Sequence, residues 1–316
     1  MKAWMTSLVC ALALSFAAQA QTNVTKIIVP FAPGGGQDVL ARVLAPELSQ
    51  QLGETFIVEN RAGGGGSAGS ALVARSAPDG KTMVMAASSH TISAVLDRKS
   101  PYDVVKDFTA FGHIGSGAYI MLVSATLKAA NVGEFIAYAK ANPGKMNYAS
   151  AGVGSATHLA SAYFAHRAGV NMVHVPFKST AEALNSLMQG ETQMLIVPTL
   201  GSQAYVANPQ LRLLAVVSRN RIASLPDVPT VIEGGLADFE FTSWFGLLGP
   251  ANMPADVTKR LNDAVNKVLA LPAVIKAIEQ QGIEPKPLSP ADFTKMLADN
   301  YVSTKELVKV AGISAD

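Results

Sequence analysis

Between residues 26 and 44, KIIVPFAPGGGQDVLARVL, an apolar run (Ile27, Ile28, Val29) gives way to three consecutive glycines (Gly34, Gly35, Gly36). After Gln37 and Asp38, apolar residues return at helical spacing as Val39, Leu40, Val43 and Leu44. The pattern predicts a buried strand, a bare turn and a helix. It then repeats: Phe56-Ile57-Val58 leads through Gly63–Gly66 into an alanine-rich helix from Ser67 to about Ser76, and Thr82 to Ala86 forms a third strand ending at Ser88-Ser89-His90. Strands alternating with helices predict a parallel sheet whose loops gather at the carboxyl ends of the strands.

Farther along, Gly112 to Val123 is apolar and punctuated by glycine, and Asn131 with Glu134 reads as a capping box for a helix to Ala141. Met146 to Ala149 is a strand, and the glycine turn Ala151 to Ser155 opens another helix. Met172 to Phe177 is a strand followed by a helix to Met188; Met194 to Val197 and Leu211 to Val217 are further strands. The strand–helix rhythm has restarted, which places a second domain at about 123 to 240. Phe241 to Leu248 is an aromatic and apolar strand. Beyond it the chain is helical, with Val257, Leu261, Val265 and Val268 on one face and Ser289-Pro290-Ala291-Asp292 starting the last helix. Such a tail is expected to return to the first sheet, so that the chain crosses twice between domains and forms a hinge.

The chain has 316 residues, 49% of them hydrophobic and 15% charged, enough for a large core, and its net charge is +2. The 25 basic residues are dispersed among 23 acidic ones, so no nucleic-acid surface is expected. Residues 1–20 read as a signal peptide: Lys2, an apolar stretch from Leu8 to Ala18, and an Ala18-Gln19-Ala20 cleavage site. The single cysteine, Cys10, lies inside it, so an exported mature chain has no thiol, disulfide or cysteine metal site.

A helix start leaves N–H groups unpaired and carries the positive end of the helix dipole, and glycines before it admit an anion to the main chain. Gly34 to Gly36 therefore read either as an anion cradle or as a tight turn and nothing more. A phosphate loop would place a lysine after the glycines; none follows, which favours a carboxylate. Gly64-x-Gly66-x-x-Gly69 satisfies the dinucleotide fingerprint literally, but the next strand ends in Ala86-Ala87-Ser88-Ser89 without the acid that would hold a ribose. Gly152-Val153-Gly154-Ser155 with His158 resembles part of a hydrolase elbow, but Thr157 stands where the second glycine belongs. The histidines show no paired ligand spacing. No catalytic residue, metal or cofactor is expected.

In this order and at these spacings, PFAPGGGQD, ENRAGGGGSAG, APDGKT, NYASAGVGSATHLA, VHVPFK and SLPDVPTV resemble the Bug family, extracytoplasmic solute receptors related to TctC, the binding component of tripartite tricarboxylate transporters. The resemblance runs from Gln21 to the last helix. It implies an α/β type II periplasmic binding protein with two lobes around a ligand cleft: lobe 1 from 21–122 and 241–316, lobe 2 from 123–240, joined by a two-crossing hinge. It implies a carboxylate held by Ala32, Gly34, Gly35, Gly36 and Gln37 with Ser88 and Ser89 on one side. On the other side stand Gly154, Ser155, Thr157, His158, Lys178, Ser179, Pro198 and Thr199. Two positions depart from the family pattern: Gln37 replaces a small hydroxyl-bearing residue, and Val197 stands where many members carry an acid. Without that acid an amino acid's ammonium group has no partner, so the expected ligand carries no positive charge. With Val197 and Phe177 lining the cleft it would have an apolar or aromatic body. The resemblance further implies a periplasmic monomer that captures a small di- or tricarboxylate, aromatic ones included, for the membrane components of such a transporter. An exported hydrolase and a ligand sensor feeding a signalling partner are the alternative functions.

Overall fold

The computed structural model describes residues 24–97, 99–200, 202–222 and 224–313; the signal peptide expected at 1–20 lies outside them. The described part of the chain opens with β1 (Val24–Val29), α1 (Gly36–Leu52), β2 (Thr55–Asn60), α2 (Ser67–Ala74), β3 (Thr82–Ala87) and α3 (Ser88–Leu96). It continues with β4 (Phe108–Ser124), α4 (Val132–Ala141), β5 (Met146–Ser150), α5 (Ala156–Ala168), β6 (Met172–Pro176), α6 (Thr180–Gln189), β7 (Met194–Pro198), α7 (Gln203–Val206) and β8 (Leu211–Val216). β9 (Thr242–Pro250), α8 (Ala255–Leu269), α9 (Pro272–Glu279), β10 (Ile283–Pro285) and α10 (Pro290–Val310) complete it. This is the α/β periplasmic binding protein fold.

The strands form one path, β2-β1-β3-β9-β4-β7-β5-β6, with β8 and β10 also on β4. β1 pairs parallel with β2 and β3, as the repeating pattern predicts, whereas β9 runs antiparallel to both β3 and β4. The glycine-punctuated stretch is a single 17-residue strand, β4, that serves both halves of the sheet. Residues 108–118 pair with β9, and residues 119–124 pair with β7 and β8.

Alternation along each strand explains why the apolar runs are unbroken: both faces are covered. Ile27 and Val29 point to one core with Leu40, Leu44, Leu261 and Val265, while Ile28 points to another with Val84, Trp244 and Phe293. On the far half of β4, Tyr119, Met121 and Val123 face a core with Phe135, Leu159 and Phe164, and Ile120 and Leu122 face one with Leu184 and Leu195.

The segment 241–316 packs on both halves. α10 enters at Phe293 and Leu297, buried against Trp244, but its end packs into the core of the second half through Leu307, Val308 and Ala311. Asn300 fixes its middle: its side-chain oxygen accepts from Thr91 Oγ1 (2.7 Å) and from Trp244 Nε1 (3.0 Å). A helix of 21 residues is about 30 Å long, enough to reach across both halves. The halves are thus joined by β4, which both share, and by a helical brace. Leu200 also departs from a simple division, lying in the 123–240 segment yet packing with the core around α1.

Phe293 is fully buried, its ring edge-on to Trp244 (5.7 Å) and His113 (5.1 Å). Phe293→Ala is expected to lower unfolding free energy by about 3–5 kcal/mol in urea titration; a loss below about 1 kcal/mol would show that α10 is not anchored there.

Candidate functional site

The carboxyl ends of the strands and the β4 crossing enclose a cleft lined by Ala32, Gly34, Gly35, Gly36, Gln37 and Ser89 on one side and Ser155, Thr157 and Ser179 on the other. Its atom-free space, counted out to the mouth, is about 820 Å³. Four helices begin at its wall. α1 starts at Gly36 with Gly35 as cap, and its first intrahelical bond is Val39 N to Gly35 O (3.0 Å), so the amides of Gly36, Gln37 and Asp38 precede the ladder. α3 starts at Ser88 directly after β3. α5 is capped by Ser155, whose Oγ accepts from His158 N (3.2 Å), and α6 by Ser179, whose Oγ accepts from Glu182 N (3.2 Å). Ala156, Thr157, Thr180 and Ala181 at those two starts all line the cleft.

No Asp, Glu, Lys, Arg or His stands among the described residues lining the cleft. The nearest charge works from behind. Asp38 accepts from Gly34 N (3.0 Å), Asn60 Nδ2 (2.9 Å) and Arg42 Nε (3.0 Å), tying the triple-glycine turn to its own helix and to β2. Burial opposes ionisation of Asp38, but the bonds from Arg42, Gly34 and Asn60 outweigh it and hold the carboxyl below its usual range. Gln37 Nε2 donates to Met85 O (2.8 Å), so this side chain anchors the turn to β3. At Gly36 an added methyl would lie 2.8 Å from Leu200 O, which explains a glycine where α1 meets the loop after β7.

Tyr119, at the crossing point of β4, also lines the cleft, and burial pushes its phenol above the usual range despite a hydrogen bond with Ser243. It remains a neutral hydroxyl. Phe31, Phe245, Leu184, Leu200 and Tyr205 give the cleft apolar walls.

Five residues expected to touch ligand lie outside the lining. Ser88 is buried in the joint between α3 and β9, its Oγ accepting from Trp244 N (3.2 Å) and Ser243 Oγ (3.1 Å). Thr199 donates Oγ1 to Ala118 O (3.0 Å) and Gly282 O (3.3 Å), a post at the crossing of β4. Gly154 faces Ser93, Lys178 is exposed, and the Lys178 amide donates to Glu182 Oε2 (3.1 Å) as part of the α6 cap. His158 turns away because it follows the cap by three residues: its ring stacks on His174 (3.9 Å), which stacks on Tyr148 (5.0 Å). Ser155 Oγ donates to Gly152 O (2.7 Å) and accepts from the His158 main chain, an arrangement of capping and not of a catalytic dyad. Pro198 does line the cleft, but Val197 does not: it is fully buried against Leu184 and Leu187, with Phe177 packed on the same core. The missing acid at 197 is therefore a core feature here.

The lining residues that the sequence reading missed divide by kind. Thr180 and Ala181 follow Ser179-x-x-Glu182, a capping-box signal that marks them as a helix start. Tyr119 and Ser243 sit inside long strands and carry no local signal.

Fold and site together define the class of solute receptors with the periplasmic binding protein fold: a two-sided cleft with four helix starts at its wall. The chain belongs to the TctC family, the tripartite tricarboxylate transporter family receptors, whose pattern matches residues 40–313. Protein BugT of Bordetella pertussis is 32% identical over 91% of this chain and 89% of its own. Among solved structures, Rpa4515 of R. palustris with adipate is 29% identical with a TM-score of 0.88, covering 92% of this chain and 97% of that one. MatC of Rhodopseudomonas palustris with bound malate is 26% identical with a TM-score of 0.85, covering 90% and 98%. The protein is a solute-binding receptor, not an enzyme.

His90 is pushed down to about 4 by burial, as are His174 and His158, the last also by the neighbouring His174 charge. In the unfolded chain these rings titrate near 6.5. Between the two values the unfolded state binds more protons, so the stabilisation is complete above about pH 6.5 and is lost as pH falls towards 4. The urea midpoint is expected to drop through this window, with a shallower drop in His174→Asn. A midpoint flat from pH 6.5 to 4 would contradict the buried neutral rings.

Proposed function

We propose that this receptor captures a small organic di- or tricarboxylate in the periplasm and delivers it to the membrane components of a tripartite tricarboxylate transporter. The single observation behind this reading is the uncharged cleft into which α1, α3, α5 and α6 direct their first turns. Hydrogen bonds to a charged group contribute roughly 1.5 to 3 kcal/mol each. Four or five of them, less the cost of ordering the ligand, reach the order of 8 kcal/mol that a micromolar dissociation constant requires. No arginine clamp is needed. The adipate and malate held by the two solved relatives support a dicarboxylate.

The walls refine the class. Phe31, Leu184, Leu200, Tyr205 and Phe245 suit an apolar or aromatic body between the acidic ends, and the charge-free lining offers an ammonium group no counter-ion. Export through the segment at 1–20 fits the same reading. The two sides of the cleft come from opposite halves of the sheet, so a ligand that bridges them favours the closed arrangement.

Calorimetric titration with aliphatic and aromatic mono-, di- and tricarboxylates is expected to give one-to-one binding with the ligand recovered unchanged, and no heat with leucine or arginine. Binding of amino acids without binding of plain carboxylates, or appearance of a product, would overturn the reading.

A further inference from the structure

The glycine run Gly63–Gly66 lies outside the cleft lining, and the nucleotide reading of its motif lacks an acid, yet four successive glycines with positive φ demand a reason. They form a turn closed by Gly66 N to Gly63 O (3.0 Å). The turn presents bare main chain to the other side of the cleft: a methyl at residue 65 would lie 2.9 Å from Val153 O, 3.1 Å from Gly154 C and 3.3 Å from Gly154 O. Val153 and Gly154 belong to the turn that opens α5, whose next residues, Ser155 and Thr157, line the cleft. That opposing turn is braced on its own side: Gly152 O accepts from Ser155 Oγ (2.7 Å) and Gly152 N donates to Ser150 Oγ (3.1 Å). Gly154 in turn lies against Ser93 of α3, a methyl there standing 3.7 Å from Ser93 Cα. Two turns from opposite halves therefore meet main chain to main chain beside the cleft, with no side chain between them at residue 65.

We propose that Gly65 is a closure latch: its lack of a side chain is what lets the two halves approach fully around a bound solute, so it sets how tightly ligand is retained without touching it. This rests on the receptor reading above. Contact made only in the closed state adds to the preference of ligand for that state, and a side chain that forbids it removes the preference.

Backbone strain must be separated from crowding. Gly65 has φ 62° and ψ 19°, a left-handed conformation that Asn tolerates better than other residues with side chains. Gly65→Asn therefore keeps the turn and adds only bulk. Gly53→Asn is the control: Gly53 has φ 66° and ψ 29°, and nothing lies within 4 Å of an added methyl.

The experiment uses the full mature chain, with adipate and malate as probes. It reads radius of gyration by small-angle scattering, dissociation constant by calorimetry, melting temperature of the ligand-free protein, and the closed fraction by fluorescence transfer between labels on the two halves. In wild type and Gly53→Asn the probe is expected to shrink the radius. In Gly65→Asn the radius should stay at its ligand-free value, affinity should fall by about tenfold or more, and the ligand-free melting temperature should be unchanged. Wild-type compaction and affinity in Gly65→Asn would overturn the latch. So would a lowered ligand-free melting temperature, which would mark the contact as permanent scaffold. If neither probe binds wild type, the carboxylate reading fails for them, and the latch is decided on ligand-free closed fractions: a smaller fraction in Gly65→Asn than in the other two supports it, and equal fractions overturn it.

Discussion

An anion taken out of water must be met by positive charge or by aligned dipoles, and the described residues lining this cleft offer dipoles and no charged side chain. α1, α3, α5 and α6 all begin at its wall, so their unpaired amides and positive ends converge on one volume with no ionised side chain among the described lining residues. Each helix start is worth on the order of 0.3 to 1 kcal/mol to a nearby anion, rising to about 2 kcal/mol where water is excluded. Their convergence matters more than any one of them. The charged residues that do participate, Asp38 and Arg42, hold the triple-glycine turn in shape and leave the cleft itself neutral.

That convergence depends on the sheet. Helices of the first half begin at the carboxyl ends of β1 and β3, those of the second at the ends of β5 and β6, and β4 carries both halves on one strand. Where its pairing passes from β9 to β7 and β8, Tyr119 enters the cleft and Thr199 ties the end of β7 to Ala118. The floor of the site and the joint of the molecule are thus the same few residues. α10 spans the joint from behind, and Leu200 reaches across it to the core around α1. Motion between the halves must be accommodated by these elements, which makes the joint a place where substitutions alter affinity without touching ligand.

How much of this was legible in the sequence follows from the range of each signal. Local signals served well: the strand–glycine–helix passage at 26–44, the capping pair Asn131 and Glu134, and the start of the last helix at Ser289 each act within a few residues, and each stands where the pattern put it. α3 escaped notice because it follows β3 without a turn residue and has Ala87, which offers no side-chain cap. His158 lies outside the lining while its neighbour Thr157 is part of it, since spacing along the chain does not show which side of a first turn faces the cleft. Thr199 and Ser88 carry the hydroxyls a ligand would want, but spend them on Ala118 and on the Trp244 amide, partners far away in sequence. The end of α10 crosses to the second half for a reason visible only in its length.

The central claim is that main-chain amides at helix starts hold the anion. Amide chemical shifts report this directly: titration of the isotopically labelled protein with the carboxylate of highest affinity should move the N–H signals of Gly36, Gln37, Thr157 and Thr180 most strongly downfield. Largest shifts at Lys178, at the His158 and His174 rings, or at any position away from these first turns would contradict the account.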